Sequence, residues 1–147
     1  MINNSMKLEF LSISENERFA RSSVAAFVSQ LNPTLDEIED IKAAVSEAVT
    51  NAVIHGYRHA AGIIYITCDL KESTATITVR DNGCGIEDIT LARTPLYTGT
   101  EDSERSGLGF TVMETFMDEI DVVSSPGCGT TVTLIKSVGD HSPSDRQ

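Results

Sequence analysis

Residues 45–56 read Val-Ser-Glu-Ala-Val-Thr-Asn-Ala-Val-Ile-His-Gly, and their spacing predicts the helix around which the fold is built. Glu47 and Asn51 are four residues apart, so on a helix they share one face. The apolar residues of another face are Ile41, Val45, Ala48, Val49 and Ala52. One face therefore contributes to the core while the other presents a carboxylate beside an amide. An isolated pair of this kind also fits an ordinary amphipathic helix with a solvated polar face.

The composition describes one acidic globular domain. The 147 residues have a formal net charge of -11, with 40% hydrophobic and 22% charged residues. This length suits a single core, and we predict one domain over residues 1–137, followed by a disordered polar tail over residues 138–147. The acidity argues against direct binding to nucleic acid, because phosphate contacts need clustered Lys and Arg. It is compatible with a basic protein partner.

Targeting and cysteine patterns predict a reducing, cytoplasmic location. No apolar run approaches the roughly 20 residues that span a membrane, so we expect no membrane association. Residues 1–7 lack the basic and then apolar pattern of a signal peptide. Cys68, Cys84 and Cys128 are odd in number and widely spaced, so neither a disulfide framework nor a zinc site is expected. We interpret them mainly as apolar filler.

Hydrophobic periodicity predicts five strands and three helices. The strands are expected over residues 7–13, 62–70, 74–80, 120–124 and 130–135. The helices are expected from a Ser14 cap to Leu31, from a Thr34 cap to Gly56–Tyr57, and from about Phe110. A polar segment is expected at about residues 88–105. The last four strands form two hairpins and the first suggests an edge strand. The predicted fold class is therefore α+β, a two-layer sandwich with a mostly antiparallel sheet and helices on one face.

A glycine motif, Asp81-x-Gly83-x-Gly85, directly follows a predicted strand. The two glycines let the backbone turn sharply and let a flat ligand approach without a Cβ in the way. Asp81 can accept a hydrogen bond from an exocyclic amine such as that of adenine. The alternative is an ordinary Asp-Asn-Gly turn leading out of a strand.

A second motif, Gly107-x-Gly109, opens the third predicted helix. Free N–H groups and the helix dipole favour a phosphate there, and Arg105 can pair with a terminal phosphate or be a solvated charge. On the central helix, Asn51 can ligate Mg²⁺ through its carbonyl oxygen, and Glu47 can accept the proton of an attacking hydroxyl. The sequence therefore predicts a site for a magnesium nucleotide.

The order of these motifs, ending in Gly129-Thr130-Thr131, resembles the ATPase and kinase superfamily that includes gyrase, the Hsp90 chaperones and histidine kinases. That resemblance covers nearly the whole folded chain and implies the Bergerat-type ATP-binding fold. Residues 46–52, 54–57 and 104–111 are similar to the anti-sigma serine kinases, and most closely to those of endospore-forming bacteria.

The resemblance implies a homodimer that inhibits a sporulation sigma factor of the sigma F type. It also implies that the protein uses Mg-ATP to phosphorylate a serine of its anti-anti-sigma antagonist. By position the resemblance assigns Glu47 as the base, Asn51 as the magnesium ligand and Asp81 as the adenine contact. It assigns Arg105 to the γ-phosphate, Thr130 to the adenine end and Arg21 to partner docking. The residues that it assigns to shaping the pocket are Gly83, Gly85, Gly107 and Gly109.

Two positions depart from the family pattern. Asn82 stands where Glu is usual, and Thr100 stands where the lid usually carries Lys. The altered lid leaves open a nucleotide-gated sigma-binding module without kinase activity, which a phosphoryl-transfer assay would separate from a kinase. A stress-response anti-sigma kinase of the sigma B type is also open, and only partner binding discriminates it. His55 is interpreted as structural, because a phosphorelay histidine kinase needs a separate helical dimerisation module.

Overall fold

The structure is a computed structural model that describes residues 2–93 and 108–139. Over these ranges the strands are β1 (Ile2–Leu11), β2 (Ile63–Glu72), β3 (Thr74–Asp81), β4 (Glu119–Ser124) and β5 (Thr130–Ser137). The α-helices are α1 (Asn16–Val28), α2 (Leu35–Asn51), α3 (Ile89–Ala92) and α4 (Leu108–Phe116). A 3₁₀ turn, Ser29–Leu31, follows α1, and a π-turn, Ala52–Gly56, follows α2.

The strands form one sheet in the order β1-β2-β3-β5-β4, and each neighbouring pair is antiparallel. Side chains alternate between its two faces, as a period of two requires. In β2 the buried set is Ile64, Ile66, Cys68 and Leu70, each at most 2% exposed. The apolar face packs against the helices, so the predicted two-layer α+β sandwich is confirmed, with β1 at the predicted edge.

Helices α1, α2 and α4 cover this apolar face. Their fully buried side chains include Val24, Val28, Ile41, Val45, Val49 and Met113. Cys68 packs among them from the sheet, and burial together with the charge of Asp69 raises the pKa of its thiol to about 12. A thiol that stays protonated is a poor nucleophile, so Cys68 serves as the predicted apolar filler.

Helix α2 begins with the predicted capping box. The Thr34 hydroxyl accepts the Glu37 N–H at 3.1 Å, and the Glu37 carboxylate accepts the Thr34 N–H at 2.8 Å. The N–H of Gly139 donates to the same carboxylate at 3.1 Å. Val138 is buried, and its N–H donates to the Ser73 carbonyl at 2.8 Å. These two residues, predicted to begin the tail, are therefore packed onto the domain, while residues 140–147 lie outside the described ranges.

Two predicted boundaries are wrong for local reasons, and one short helix was not predicted. Helix α1 has Glu15 rather than Ser14 at its N-cap, without a side-chain capping bond. The first strand begins at Ile2 rather than Lys7, because its backbone pairs with β2 along the whole edge. This pairing does not depend on the polar side chains of residues 3–5, which break the apolar alternation. Short helix α3 lies in the polar segment for which no helix was predicted, and the side chain of Asp88 caps it by accepting the Leu91 N–H at 2.9 Å.

Candidate functional site

A cavity of about 330 Å³ opens between α2, the π-turn, the end of β3 and the starts of α4 and β5. Its apolar lining comprises Ala48, Ala52, Ile54, Val79, Ile86, Ala92, Phe110 and Val132. Its polar lining includes Asn51, His55, Arg58, His59, Asp81, Cys84 and Thr130. Apolar walls with a few convergent polar groups are typical of a site for a small organic ligand.

Asp81 ends β3 and is only 5% exposed. The alternation of the strand places it on the buried face together with Val79, two residues earlier. Its Oδ1 accepts the N–H of Gly83 at 2.8 Å. Burial raises the pKa of Asp81, and the backbone hydrogen bonds from Gly83 and Thr130 and the charge of Arg80 oppose that rise. A buried carboxylate on a cavity wall favours a ligand that offers a hydrogen-bond donor.

The raised pKa of Asp81 predicts a pH-dependent contribution to stability. In the unfolded chain the Asp81 carboxyl has its ordinary pKa of 3.8. Between that pH and the higher pKa of the folded state, the folded protein keeps the Asp81 proton while the unfolded chain has lost it. Stability from this group is therefore present below that range and is lost as pH rises through the folded pKa. We expect the unfolding free energy of the wild type, minus that of Asp81→Asn, to fall with rising pH over this window. Urea unfolding at stepped pH measures it, and a constant difference would contradict the raised pKa.

Glycines around Asp81 let main chain pack directly on main chain. A Cβ on Gly83 would lie 2.1 Å from the Gly56 carbonyl oxygen, and one on Gly129 would lie 2.1 Å from the Asp81 carbonyl oxygen. A Cβ on Gly56 would lie 2.8 Å from the Asp81 carboxylate. Gly85, with φ of +76°, lines the cavity as predicted, but Gly83 is absent from its lining and packs against the π-turn.

The π-turn is a feature that the sequence did not predict, because the helix was expected to run unbroken to Gly56–Tyr57. The N–H of Tyr57 instead donates to the Ala52 carbonyl, five residues earlier, at 2.9 Å. The carbonyls of His55 and Gly56 are left for other donors, and Cys84 supplies both: its Sγ to His55 at 3.1 Å and its N–H to Gly56 at 2.9 Å. The loop after Asp81 thus caps the end of the helix.

Glu47 and Asn51 lie together, as their spacing predicts, against the first turn of α4. A Cβ on Gly109 would lie 3.0 Å from Asn51 Nδ2 and 3.2 Å from Glu47 Oε2. Asn51 lines the cavity, whereas Glu47, one turn earlier, is not among the lining residues. The glycine lets α4 approach both side chains closely.

The carbonyl oxygen of the Asn51 side chain is buried, and among the described residues it has no hydrogen-bond partner. Such an atom costs about 1–3 kcal/mol unless a ligand satisfies it. An amide oxygen is a suitable ligand for Mg²⁺, which usually takes few protein ligands beside substrate phosphates and water. Within residues 2–93 and 108–139 no cluster of three or more His, Cys, Asp or Glu could hold a metal. Asn51 therefore fits a magnesium ion that a nucleotide brings with it.

Thr130 stands where β5 begins, opposite Asp81 in the β3–β5 register. Ser124 donates to the Gly129 carbonyl at 2.9 Å, and its oxygen also lies 2.8 Å from Thr130 Oγ1. Because Ser124 has a single hydroxyl hydrogen, Thr130 must be the donor between the two hydroxyls. The lone pairs of Thr130 Oγ1 are then left as acceptors on the cavity wall, close to Asp81.

Of the remaining predicted residues, Arg105, Gly107 and Thr100 lie outside the described residues. Arg21 lies on α1, away from the cavity, and its guanidinium is 3.4 Å from the Glu17 carboxylate. Glu17 also accepts a hydrogen bond from the Ser46 hydroxyl, and Ser46 directly precedes Glu47. No helix of the described ranges has the length and hydropathy needed to cross a bilayer.

Sequence reasoning missed the apolar walls of the cavity and the contacts of Tyr57. The walls had a usable signal: Val79 shares the inward face of its strand with Asp81, and Phe110 follows Gly109 on the apolar stripe of α4. No sequence pattern indicates the contacts of Tyr57, since its partners are distant in sequence or belong to the main chain.

Comparison with known proteins agrees with this geometry. Residues 12–136 match the model of the histidine kinase-like ATPase domain. An anti-sigma F factor of Clostridium novyi is 58% identical over 139 residues, covering 94% of this chain and 97% of the relative. Anti-sigma F factors of Clostridium kluyveri and Caldanaerobacter subterraneus are 57% and 56% identical, each covering at least 92% of this chain and 96% of the relative. The chain therefore belongs to the histidine kinase-like ATPase family and, within it, to the family of the anti-sigma F factors.

Proposed function

We propose that this protein is an anti-sigma factor and an ATP-dependent protein serine kinase. It binds and inhibits a sporulation sigma factor of the sigma F type, and it phosphorylates a serine of an anti-anti-sigma antagonist. The observation that carries the kinase proposal is the buried Asn51 Oδ1, which has no hydrogen-bond partner among the described residues and belongs to a side chain that lines the cavity beside Glu47. The partner proposal is supported by the name shared by the relatives. A sigma-factor partner implies a cytoplasmic location.

Recognition of the adenine is assigned to Asp81 and Thr130. Both are acceptors on the wall of a mainly apolar cavity, and the exocyclic amine of adenine is a donor. The apolar lining, which includes Val79, Ile86 and Phe110, suits the apolar faces of an aromatic ring. ATP, the ligand that the ATPase family implies, thus fits the residues present.

Transfer needs one proton acceptor and one metal ligand from the described residues. When bound, Mg-ATP supplies the γ-phosphoryl group and the cation that offsets its charge. Glu47 takes the proton of the serine hydroxyl as the serine oxygen bonds to phosphorus and the bond to ADP breaks. Asn51 would hold the metal through Oδ1. Arg105 and Gly107 are proposed to contact the phosphates.

Partner docking is assigned to Arg21. Arg21 contacts Glu17, and Glu17 accepts a hydrogen bond from Ser46, the residue that precedes Glu47. A partner bound at Arg21 would therefore be close to the proposed base. We also propose a homodimer formed through the β1 edge or α1, where Leu11 and Phe19 are more than half exposed. Residues 1–137, extended by Val138 and Gly139, are proposed to act as a single domain.

The test uses the purified chain with a sporulation sigma factor and an anti-anti-sigma protein. We expect acid-stable label from the γ-phosphate of Mg-ATP on a serine of the anti-anti-sigma protein, and nucleotide-dependent capture of the sigma factor. ATP binding and sigma capture without transfer would replace the kinase by the nucleotide-gated binding module. Capture of a stress-response sigma factor instead would establish the sigma B type.

Arg21→Ala is expected to weaken sigma capture by roughly tenfold or more, because an Arg that pairs with a partner carboxylate is often a major binding contribution. Arg18→Ala removes the same charge from the same helix and is expected to bind normally. Equal weakening by both variants would reduce the effect to general electrostatics and remove Arg21 as a specific docking residue.

A further inference from the structure

Tyr57 joins three parts of the chain around the site. Its hydroxyl donates to the Ile63 carbonyl at 2.5 Å and accepts the Asn82 N–H at 2.8 Å. One hydroxyl can do both at once, because it has one hydrogen and two lone pairs. Its ring packs against Gly62, where a Cβ would lie 2.4 Å from the nearest ring atom. The end of the π-turn, the start of β2 and the turn after β3 thus meet at one side chain.

This contact acts on the turn that orients Asp81. Asn82 is the residue between Asp81 and Gly83, and the Gly83 N–H donates to Asp81 Oδ1 at 2.8 Å. The far side of the turn is held by the hydrogen bond from the Cys84 N–H to the Gly56 carbonyl at 2.9 Å. Tyr57 supplies the corresponding anchor on the Asp81 side. Without its hydroxyl, the Asn82 N–H loses its partner, and the main chain between Asp81, which stays paired with Thr130, and Cys84 loses its middle anchor.

We propose that Tyr57 is a positioning residue whose hydroxyl sets the selectivity of the cavity for a purine that carries an exocyclic amino group. It is not among the cavity-lining residues, so it acts through the Asp81 turn rather than by touching the ligand. The proposal rests on the proposed function in one respect, namely that the cavity binds ATP.

The test compares two ligands that differ only in the group that Asp81 contacts. ATP carries the 6-amino group, and purine riboside triphosphate lacks it. We expect Tyr57→Phe to weaken ATP binding by about five- to tenfold, the effect of one lost hydrogen bond, and to change binding of purine riboside triphosphate by less than about twofold. Ser12→Ala is the matched control. It removes a hydroxyl that donates, at 3.1 Å, to the carbonyl of Ala60, which lies like Tyr57 between the π-turn and β2. It is expected to change neither affinity.

A double-mutant cycle with Asp81→Asn gives the second measurement. If Tyr57 acts through Asp81, adding Tyr57→Phe to Asp81→Asn leaves the ratio of the two affinities unchanged. Equal weakening of both ligands by Tyr57→Phe, or a further fall of the ratio in the double variant, would overturn the proposal. Wild-type protein that binds neither ligand would overturn the proposed function together with it, whereas wild-type discrimination that Tyr57→Phe preserves would overturn this proposal alone.

Discussion

Glu47→Gln is expected to lower the rate of phosphoryl transfer to an anti-anti-sigma serine by about 10²- to 10⁴-fold, the usual contribution of a general base. Gln has nearly the same shape, so it can occupy the same space beside Gly109 and Asn51. What it lacks is an oxygen basic enough to take the proton of the attacking hydroxyl. ATP affinity is expected to stay within about twofold, because Glu47 is not among the residues that line the cavity.

The measurement is single-turnover transfer of labelled phosphate at saturating Mg-ATP, with ATP affinity determined separately. Glu39→Gln is the matched control: it makes the same chemical change on α2, at a half-exposed carboxylate 3.6 Å from Lys42. It is expected to transfer phosphate at the wild-type rate. Normal transfer by Glu47→Gln would remove Glu47 as the base.

Asn51→Ala is expected to abolish the effect of Mg²⁺ on ATP binding. In the wild type, Mg²⁺ should tighten ATP by at least about tenfold, as is typical when a metal-ligating contact is present. The variant should bind ATP with the same weak affinity in Mg²⁺ and in EDTA, because the side-chain oxygen proposed to ligate the metal has been removed. Phosphoryl transfer should be lost with it.

Titration with ATP in both buffers measures this difference directly. Asn4→Ala removes an amide from the β1 edge, where it donates to Gln30 at 3.0 Å, and it is expected to keep the full Mg²⁺ effect. Undiminished tightening by Mg²⁺ in Asn51→Ala would count against the metal-ligand assignment. Loss of binding in both buffers would show that Asn51 supports the cavity rather than the metal.

The regular parts of the fold could be predicted because each has a local physical cause. Alternation defines β2 and β3, and the Thr34–Glu37 capping box fixes the start of α2. The π-turn could not be predicted in the same way. It depends on Cys84, 28 residues beyond Gly56, the last residue of the π-turn, because Cys84 donates to the carbonyls at the end of the helix. Tertiary contacts of this kind leave no periodic signal.

In the candidate site, too, the local features could be predicted and the tertiary contacts could not. Helical spacing was sufficient to bring Glu47 and Asn51 together, and the end of a strand was sufficient to place Asp81. The role of Gly83 was predicted incompletely, because its short contact is with the Gly56 carbonyl rather than with the cavity. Composition rules identify a glycine that needs room, but they do not identify the neighbour that occupies it.

That packing of main chain on main chain has a consequence for how the family changes over evolution. Gly56, Gly83 and Gly129 are required by contacts that exist before any nucleotide arrives, so selection for folding alone preserves them. The Asn51 oxygen is under no such protection, because it is buried without a hydrogen-bond partner among the described residues and costs stability unless a ligand satisfies it. A descendant that stops using ATP should therefore keep its glycines and lose Asn51 first. We expect relatives that no longer use ATP to be recognisable by that order of loss.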